Sequence, residues 1–130
     1  MSQSNEQVIR DFLGLWKIGA RISAFEQYLA DDVEWIHSGL SEGVGKSACL
    51  VLAEQHARLF PVVKVDIRSL AANGDVVLTE RIDRLMPSDG SASVGVEVAG
   101  SFRLQDGKIC YWRDYFDPRP FVAPMPRPSA

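Results

Sequence analysis

Apolar positions recur at helical spacing early in the chain and at two-residue spacing in its second half. Val8, Phe12, Leu15 and Trp16, flanked by Ile9 and Leu13, predict a first helix. Ser4 or Asn5 can cap it, Glu6 suits its first turn, Gly14 weakens it and Gly19 ends it. A shorter helix is expected from about Ile22 to Leu29, with Ile22, Phe25 and Leu29 inward. Ala30-Asp31-Asp32 breaks that pattern. Val33 to His37 then reads as a strand with Val33, Trp35 and His37 on one face and Glu34 and Ile36 on the other. Ser38 to Gly45 holds three glycines without periodicity and predicts a loop. A third helix fits from Lys46 to about Leu59, with Cys49, Leu52, Ala53, His56 and Phe60 as its stripe, and Pro61 stops it.

Beyond Pro61 the period changes to two. Val63, Val65 and Ile67 share a face of a strand over Val62 to Leu70, and Asn73-Gly74 is a hairpin signal. Val76 to Met86 follows, then a polar turn from Pro87 to Ser93. Val94, Val96, Val98, Phe102 and Leu104 alternate along the next strand, and Asp106-Gly107 turns the chain into Lys108 to Asp117. Helices followed by a meander of long strands predict an α+β domain. A strongly curved, mostly antiparallel sheet wrapped around about three N-terminal helices would leave a pocket in its concavity. One domain is expected over residues 1–117. The tail, residues 118–130, carries five of the seven prolines and is expected to be an extended or disordered arm.

Composition narrows the field of partners. At 130 residues, 46% hydrophobic and 24% charged, the chain suits one soluble globular domain. A net charge of −3 with no run of Lys or Arg argues against a nucleic-acid surface. No apolar run reaches membrane-spanning length, and the first residues lack the basic-then-apolar order of a leader, so a cytoplasmic location is expected. Cys49 and Cys110 have neither metal-site nor redox spacing. Both fall on predicted core faces, where reduced cysteine packs as a small apolar residue, although spacing does not exclude a disulfide between them.

The chemistry centres on the last strand. Cys110, Trp112, Asp114 and Phe116 share one face, opposite Ile109, Tyr111, Arg113 and Tyr115. An unpaired carboxylate on an apolar face is costly, so Asp114 needs a partner. Arg81 and Asp83, two apart on the Thr79 to Arg84 stretch, supply one. Two carboxylates and a guanidinium in an apolar hollow can do acid–base work, one carboxylate taking a proton from water while the other donates one. The same trio can equally be a buried ion pair that ties two strands together. A third arrangement turns Arg81 and Asp83 to solvent and Leu78, Glu80 and Ile82 inward, which buries Glu80 instead. Trp35 and His37 can reach a pocket as polar handles, and His56 belongs to its wall or the core. The two histidines have no acidic ligand at helical spacing, which speaks against a metal site. Gly43-Val44-Gly45-Lys46-Ser47 lacks the first glycine of a phosphate loop, and no Ser or Cys stands in a nucleophile elbow.

Two stretches carry a resemblance to a known family. Leu29 to Trp35 resembles the helix-to-strand entry of the NTF2-like (SnoaL-like) cone fold. Glu80-Arg81-Ile82-Asp83 and Trp112-Arg113-Asp114-Tyr115-Phe116-Asp117 resemble the paired motifs of the limonene-1,2-epoxide hydrolase family. The resemblance spans about residues 8–118 and implies roles for these residues. Asp114 would be the base that deprotonates water, Asp83 the acid that protonates the epoxide oxygen, and Arg81 the bridge. It also implies one-step opening of a small apolar, cyclic epoxide to a vicinal diol, with no cofactor and no metal, in a homodimer formed through the outer sheet face. Trp112, Phe116, Cys110, His56 and Val98 are expected to line the pocket. One departure is visible. The family positions its water with a Tyr and an Asn two apart on the first strand, where this chain has Trp35 and His37. Imidazole can replace the amide as a partner, but an indole can only donate. That change is the feature that favours the rivals, an isomerase or cyclase of the same fold acting on a steroid or polyketide, or a ligand-binding module without catalysis.

Overall fold

The computed structural model describes residues 3–37 and 41–119. Ser4 caps helix α1 (Asn5–Gly14), its hydroxyl accepting from the Gln7 amide at 3.2 Å. The chain then tightens into a 3₁₀ turn, Leu15–Ile18, which Gly19 closes at φ 75°, a left-handed conformation that glycine adopts without strain. Helix α2 (Arg21–Tyr28), strands β1 (Leu29–His37) and β2 (Ser41–Val44) and helix α3 (Lys46–Leu59) follow. Four long strands complete the domain: β3 (Val62–Asn73), β4 (Val76–Met86), β5 (Val94–Gln105) and β6 (Lys108–Tyr115).

The strands form one sheet in the order β2-β1-β6-β5-β4-β3. β1 runs parallel to β6, and every other neighbour is antiparallel. The register shifts at three places: between Leu29 and Glu34, between Ile67 and Ser69, and between Arg103 and Leu104. Such irregularities bend and twist strands, and the curved sheet receives the helices on its concave side. α1 and the 3₁₀ turn pack on β3, and α3 packs on β1 and β2.

Two expectations need correction. β1 begins at Leu29, because Leu29 pairs with Ile109 of β6 before the register shift; Asp31 and Asp32 fall within the shifted stretch and face solvent. The predicted loop contains β2, whose glycine content hid it. Gly43 pairs with Trp35, and a Cβ there would meet Cys49 Sγ at 3.0 Å and Leu52 Cδ1 at 3.1 Å. Glycine therefore lets α3 lie close on the edge strand. The rest of that loop, residues 38–40, and residues 120–130 of the proline-rich tail lie outside the described residues. Among the described residues no helix is long and apolar enough to cross a membrane.

The core is aromatic: Phe12, Trp16, Phe25, Trp35, Phe102 and Trp112 are all buried. Trp112 is its centre. Its indole stacks on Trp35 at 4.7 Å and on Phe102 at 5.6 Å, and it meets Phe12 edge-on at 5.3 Å. Each such pair contributes about 0.5–1.5 kcal/mol beyond burial. Trp112→Ala should therefore lower the unfolding free energy by about 3–5 kcal/mol in urea denaturation, and Trp112→Phe by clearly less.

Candidate active site

Three adjacent strands build the site. β4 carries Thr79, Arg81 and Asp83 on its inward face, at alternate positions. Leu78 is half exposed and Glu80 exposed, so the arrangement with Glu80 buried is not the one adopted. β6 presents Asp114, and β5 lies between the two strands. Arg81 must therefore reach across a whole strand to touch Asp114. Gly100 of β5 sits in register with both Thr79 and Asp114, and its missing side chain opens the way. A Cβ at Gly100 would stand 2.5 Å from Arg81 Nη1, 2.8 Å from Asp114 Oδ1 and 2.9 Å from Thr79 Oγ1.

The guanidinium uses all five of its N–H groups. Nε donates to Asp83 Oδ1 at 3.0 Å and Nη2 to Asp83 Oδ2 at 2.9 Å. Nη1 and Nη2 donate to Asp114 Oδ1 and Oδ2 at 3.1 and 3.0 Å, and Nη1 also reaches Thr79 Oγ1 at 3.3 Å. Burial alone would lower the Arg81 pKa, but Asp114 and Asp83 together raise it above its ordinary value, so the group stays charged. Asp114 gains a further donor, the Trp112 indole at 2.8 Å from Oδ1. Because Oδ1 takes two bonds and Oδ2 one, Oδ2 keeps more accepting capacity.

His37 pairs with Asp114 in the parallel β1–β6 register, which brings its Nε2 to 3.9 Å from Asp114 Oδ2. Its ring lies between Trp35 at 5.1 Å, His56 at 5.3 Å and Phe116 at 4.9 Å. Burial first, and then the charge of Arg81, push the His37 pKa down to about 4. Burial and the neighbouring His37 bring His56 to about 4 as well. Both imidazoles are therefore neutral near pH 7 and can accept as well as donate.

Above this floor opens a cavity of about 490 Å³. Asp83, Asp114, His37, Trp35 and His56 line it, with Leu52, Val63, Leu85, Val96, Val98 and Phe116 among its apolar walls. Another hollow, about 570 Å³, lies among Gln3, Asn5, Tyr28, Asp106 and Lys108 and borders none of these groups. The structure thus brings Arg81, Asp83 and Asp114 together and sets Trp35, His37, His56, Val98 and Phe116 around them. Two expected wall residues lie elsewhere. Cys110 falls opposite the Arg103–Leu104 register shift, which reverses the alternation. Ile109 turns inward, while Cys110 is only half buried and its thiol donates to the Arg103 carbonyl at 3.4 Å. Trp112 lies beneath the cavity, sealed from it by its ring partners. Both cysteines are free. Among the described residues no three His, Cys, Asp or Glu side chains gather as a metal site requires.

Sequence reasoning passed over three residues. Gly100 had a signal, since a glycine inside a strand marks close approach of another group. Thr79 stands two before Arg81 on the same face. Arg21, which also lines the cavity, opens a helix and carried no pattern of its own.

Comparison with known proteins gives consistent likenesses. A family model described as limonene-1,2-epoxide hydrolase catalytic domain matches residues 3–127. The epoxide hydrolase EphG of Mycobacterium tuberculosis (strain ATCC 25618 / H37Rv) is 38% identical over 90 residues. That match takes in 68% of this chain and spans 58% of the relative's length. The solved structure of an M. tuberculosis LEH-like epoxide hydrolase superposes with a TM-score of 0.76 at 30% identity, covering 87% of this chain and 82% of that one. A protein from Jannaschia sp. CCS1 described as a putative SnoaL-like polyketide cyclase has a TM-score of 0.68 at 17% identity, over 90% and 91% of the two chains, and shares the fold alone.

Two predictions follow from the geometry. Gly100→Ala should force the guanidinium off Asp114 and lower the unfolding free energy by about 1–3 kcal/mol, measured by urea denaturation. The histidines set a pH dependence. Unfolded, each binds its proton near pH 6.5; folded, only near pH 4. Between these values the unfolded chain holds more protons, so their contribution to stability falls as pH drops from 6.5 to 4 and levels off below. The double variant His37→Asn/His56→Gln should flatten that part of the stability profile relative to wild type.

Proposed function

The chain belongs to the limonene-1,2-epoxide hydrolase family, and from that premise we propose that it hydrolyses a small epoxide to a vicinal diol. The observation that carries the reading is the carboxylate pair bridged by one fully bonded guanidinium at the floor of a mainly apolar cavity. Asp114 is the base. Three donor bonds hold its carboxylate still, and its less-bonded Oδ2 faces His37. A water placed within reach of both groups loses one proton to Asp114 as its oxygen attacks an epoxide carbon. Asp83 is the acid. Among the described residues it accepts only from Arg81, and its side chain is the more open of the two at 10% exposure. The carbon–oxygen bond breaks as Asp83 gives its proton to the departing oxygen, leaving the diol, a protonated Asp114 and an ionised Asp83. A proton returns from Asp114 to Asp83 to reset the pair. Charge supports this division: Arg81 balances one carboxylate, and one shared proton makes the buried trio neutral. Each proton transfer supplies about 10²–10⁴ in rate, and the strained ring needs no covalent ester.

His37 is the positioning partner for the water, a neutral ring offering both an acceptor and a donor. Trp35 contributes an indole N–H to the same wall. The apolar lining suits a compact, cyclic substrate. A homodimer through the outer sheet face belongs to the same reading, with Leu78 and Tyr115 half exposed there.

Single turnover with cyclic and aryl epoxides in ¹⁸O-labelled water tests the reading. Label should enter the diol in the first turnover. Asp114→Asn and Asp83→Asn should each slow that turnover by at least about 10²-fold, with the folded state intact by circular dichroism. Label that appears only after an unlabelled first turnover would indicate an ester on the enzyme, and no diol from any epoxide would sink the assignment.

A further inference from the structure

A second arginine lies in the same cavity and has no part in the trio. Arg21, the first residue of α2, is 7% exposed and lines the cavity together with Asp83 and His37. One of its bonds is accounted for: Nη2 donates to the Phe60 carbonyl at 2.8 Å, at the end of α3. Among the described residues no carboxylate lies within salt-bridge distance of it. Its Nε is buried without a hydrogen-bond partner.

Arg21 is part of a wider imbalance. The described residues contain five buried side-chain polar atoms without partners. Four of these belong to residues that line this one cavity: Trp16 Nε1, Arg21 Nε, Trp35 Nε1 and His37 Nδ1. Three of the four are obligate donors. Among the described residues the carboxylates lining the cavity are Asp83 and Asp114, and Arg81 holds both. Three N–H donors of lining residues are therefore buried without an acceptor.

Charge sharpens this into a chemical class. Both histidines are neutral near pH 7, and burial pulls the Arg21 pKa down to about 10 against the charge of Asp83, which raises it without a direct bond. Arg21 is thus a charged group of the lining to which, among the described residues, no carboxylate is directly bonded. An isolated buried cation is costly, and a bidentate carboxylate is the partner whose geometry matches a guanidinium fork. We propose that Arg21 anchors a carboxylate on the ligand, so that the preferred substrate is a compact epoxy acid. Its apolar body would fill the space beside Val98 and Phe116 while its ring oxygen meets Asp83. This specificity rests on the epoxide reading, but the anchor itself can be tested without turnover.

The test uses two saturated, unreactive probes, cyclohexanecarboxylate and cyclohexanecarboxamide, titrated into the wild-type protein by calorimetry. Arginine side-chain N–H signals are followed in parallel by NMR. The carboxylate should bind at least tenfold more tightly than the amide, and it alone should move the Arg21 Nε–H signal. Arg21→Gln should abolish the preference, whereas Arg21→Lys, which keeps the charge, should retain part of it. If Arg21→Gln unfolds because the Phe60 carbonyl loses its donor, the wild-type NMR shift and the lysine variant still decide. Equal binding of both probes, an unmoved Arg21 signal, or a preference surviving in folded Arg21→Gln would overturn the anchor. If the carboxylate preference holds but no epoxide is opened, the anchor stands and the hydrolase reading falls. The opposite result, turnover of neutral epoxides without any carboxylate preference, would leave the hydrolase and remove the anchor.

Discussion

The Arg81 guanidinium, buried to 1% exposure and bonded through all five of its N–H groups, is the interaction on which the rest of the molecule depends. A cation in that position would be untenable alone, and two carboxylates there would repel each other. Together they hold one another on a sheet face that is otherwise aromatic and aliphatic. The arrangement constrains three strands at once. β4 must place Thr79, Arg81 and Asp83 in phase, β5 must give up a side chain at Gly100, and β6 must end its inward row on Asp114. A one-residue slip in either pairing would turn a charge toward solvent and an apolar residue into its place. The polar centre therefore fixes register as well as forming the site.

Support from below is equally specific. Trp112 is held between two aromatic rings and aims its N–H at Asp114 Oδ1, so the bulkiest fully buried side chain among the described residues also orients the carboxylate. His37 reaches the same carboxylate from the parallel strand, at a distance where a shared water fits better than a direct bond. Fold and site are thus coupled through two in-register pairs of β1 and β6, Trp35 with Trp112 and His37 with Asp114.

Much of this was legible in the residues. Period-two alternation located β4, β5 and β6, and the cost of a lone carboxylate on an apolar face led from Asp114 to Arg81 and Asp83. What escaped were features that alternation does not encode. Cys110 was assigned to the pocket because nothing in Lys108 to Tyr115 announces a register shift; the extra residue shows only when β6 is laid against β5. β2 was hidden because Gly43 is chosen for contact with α3 and not for strand propensity. Arg21 stayed unnoticed because its importance depends on which elements meet around one cavity, a property of the tertiary structure alone.

The fold by itself does not decide chemistry. The disposition of charge inside the cone does. Arg81 beneath the cavity and Arg21 in its lining differ in how far the protein completes them. Arg81 has every donor satisfied and bridges two carboxylates across the floor. Arg21 donates to the Phe60 carbonyl and, among the described residues, has no carboxylate within salt-bridge distance. A completed guanidinium has nothing left to bind with; on the proposed reading it holds the two carboxylates still for the reaction. On the proposal above, Arg21 would gain by meeting an anion, and it would gain most with the proton for ring opening on the carboxylate pair. Binding of an anionic substrate and readiness of the acid would then favour each other through the field of the same small cavity.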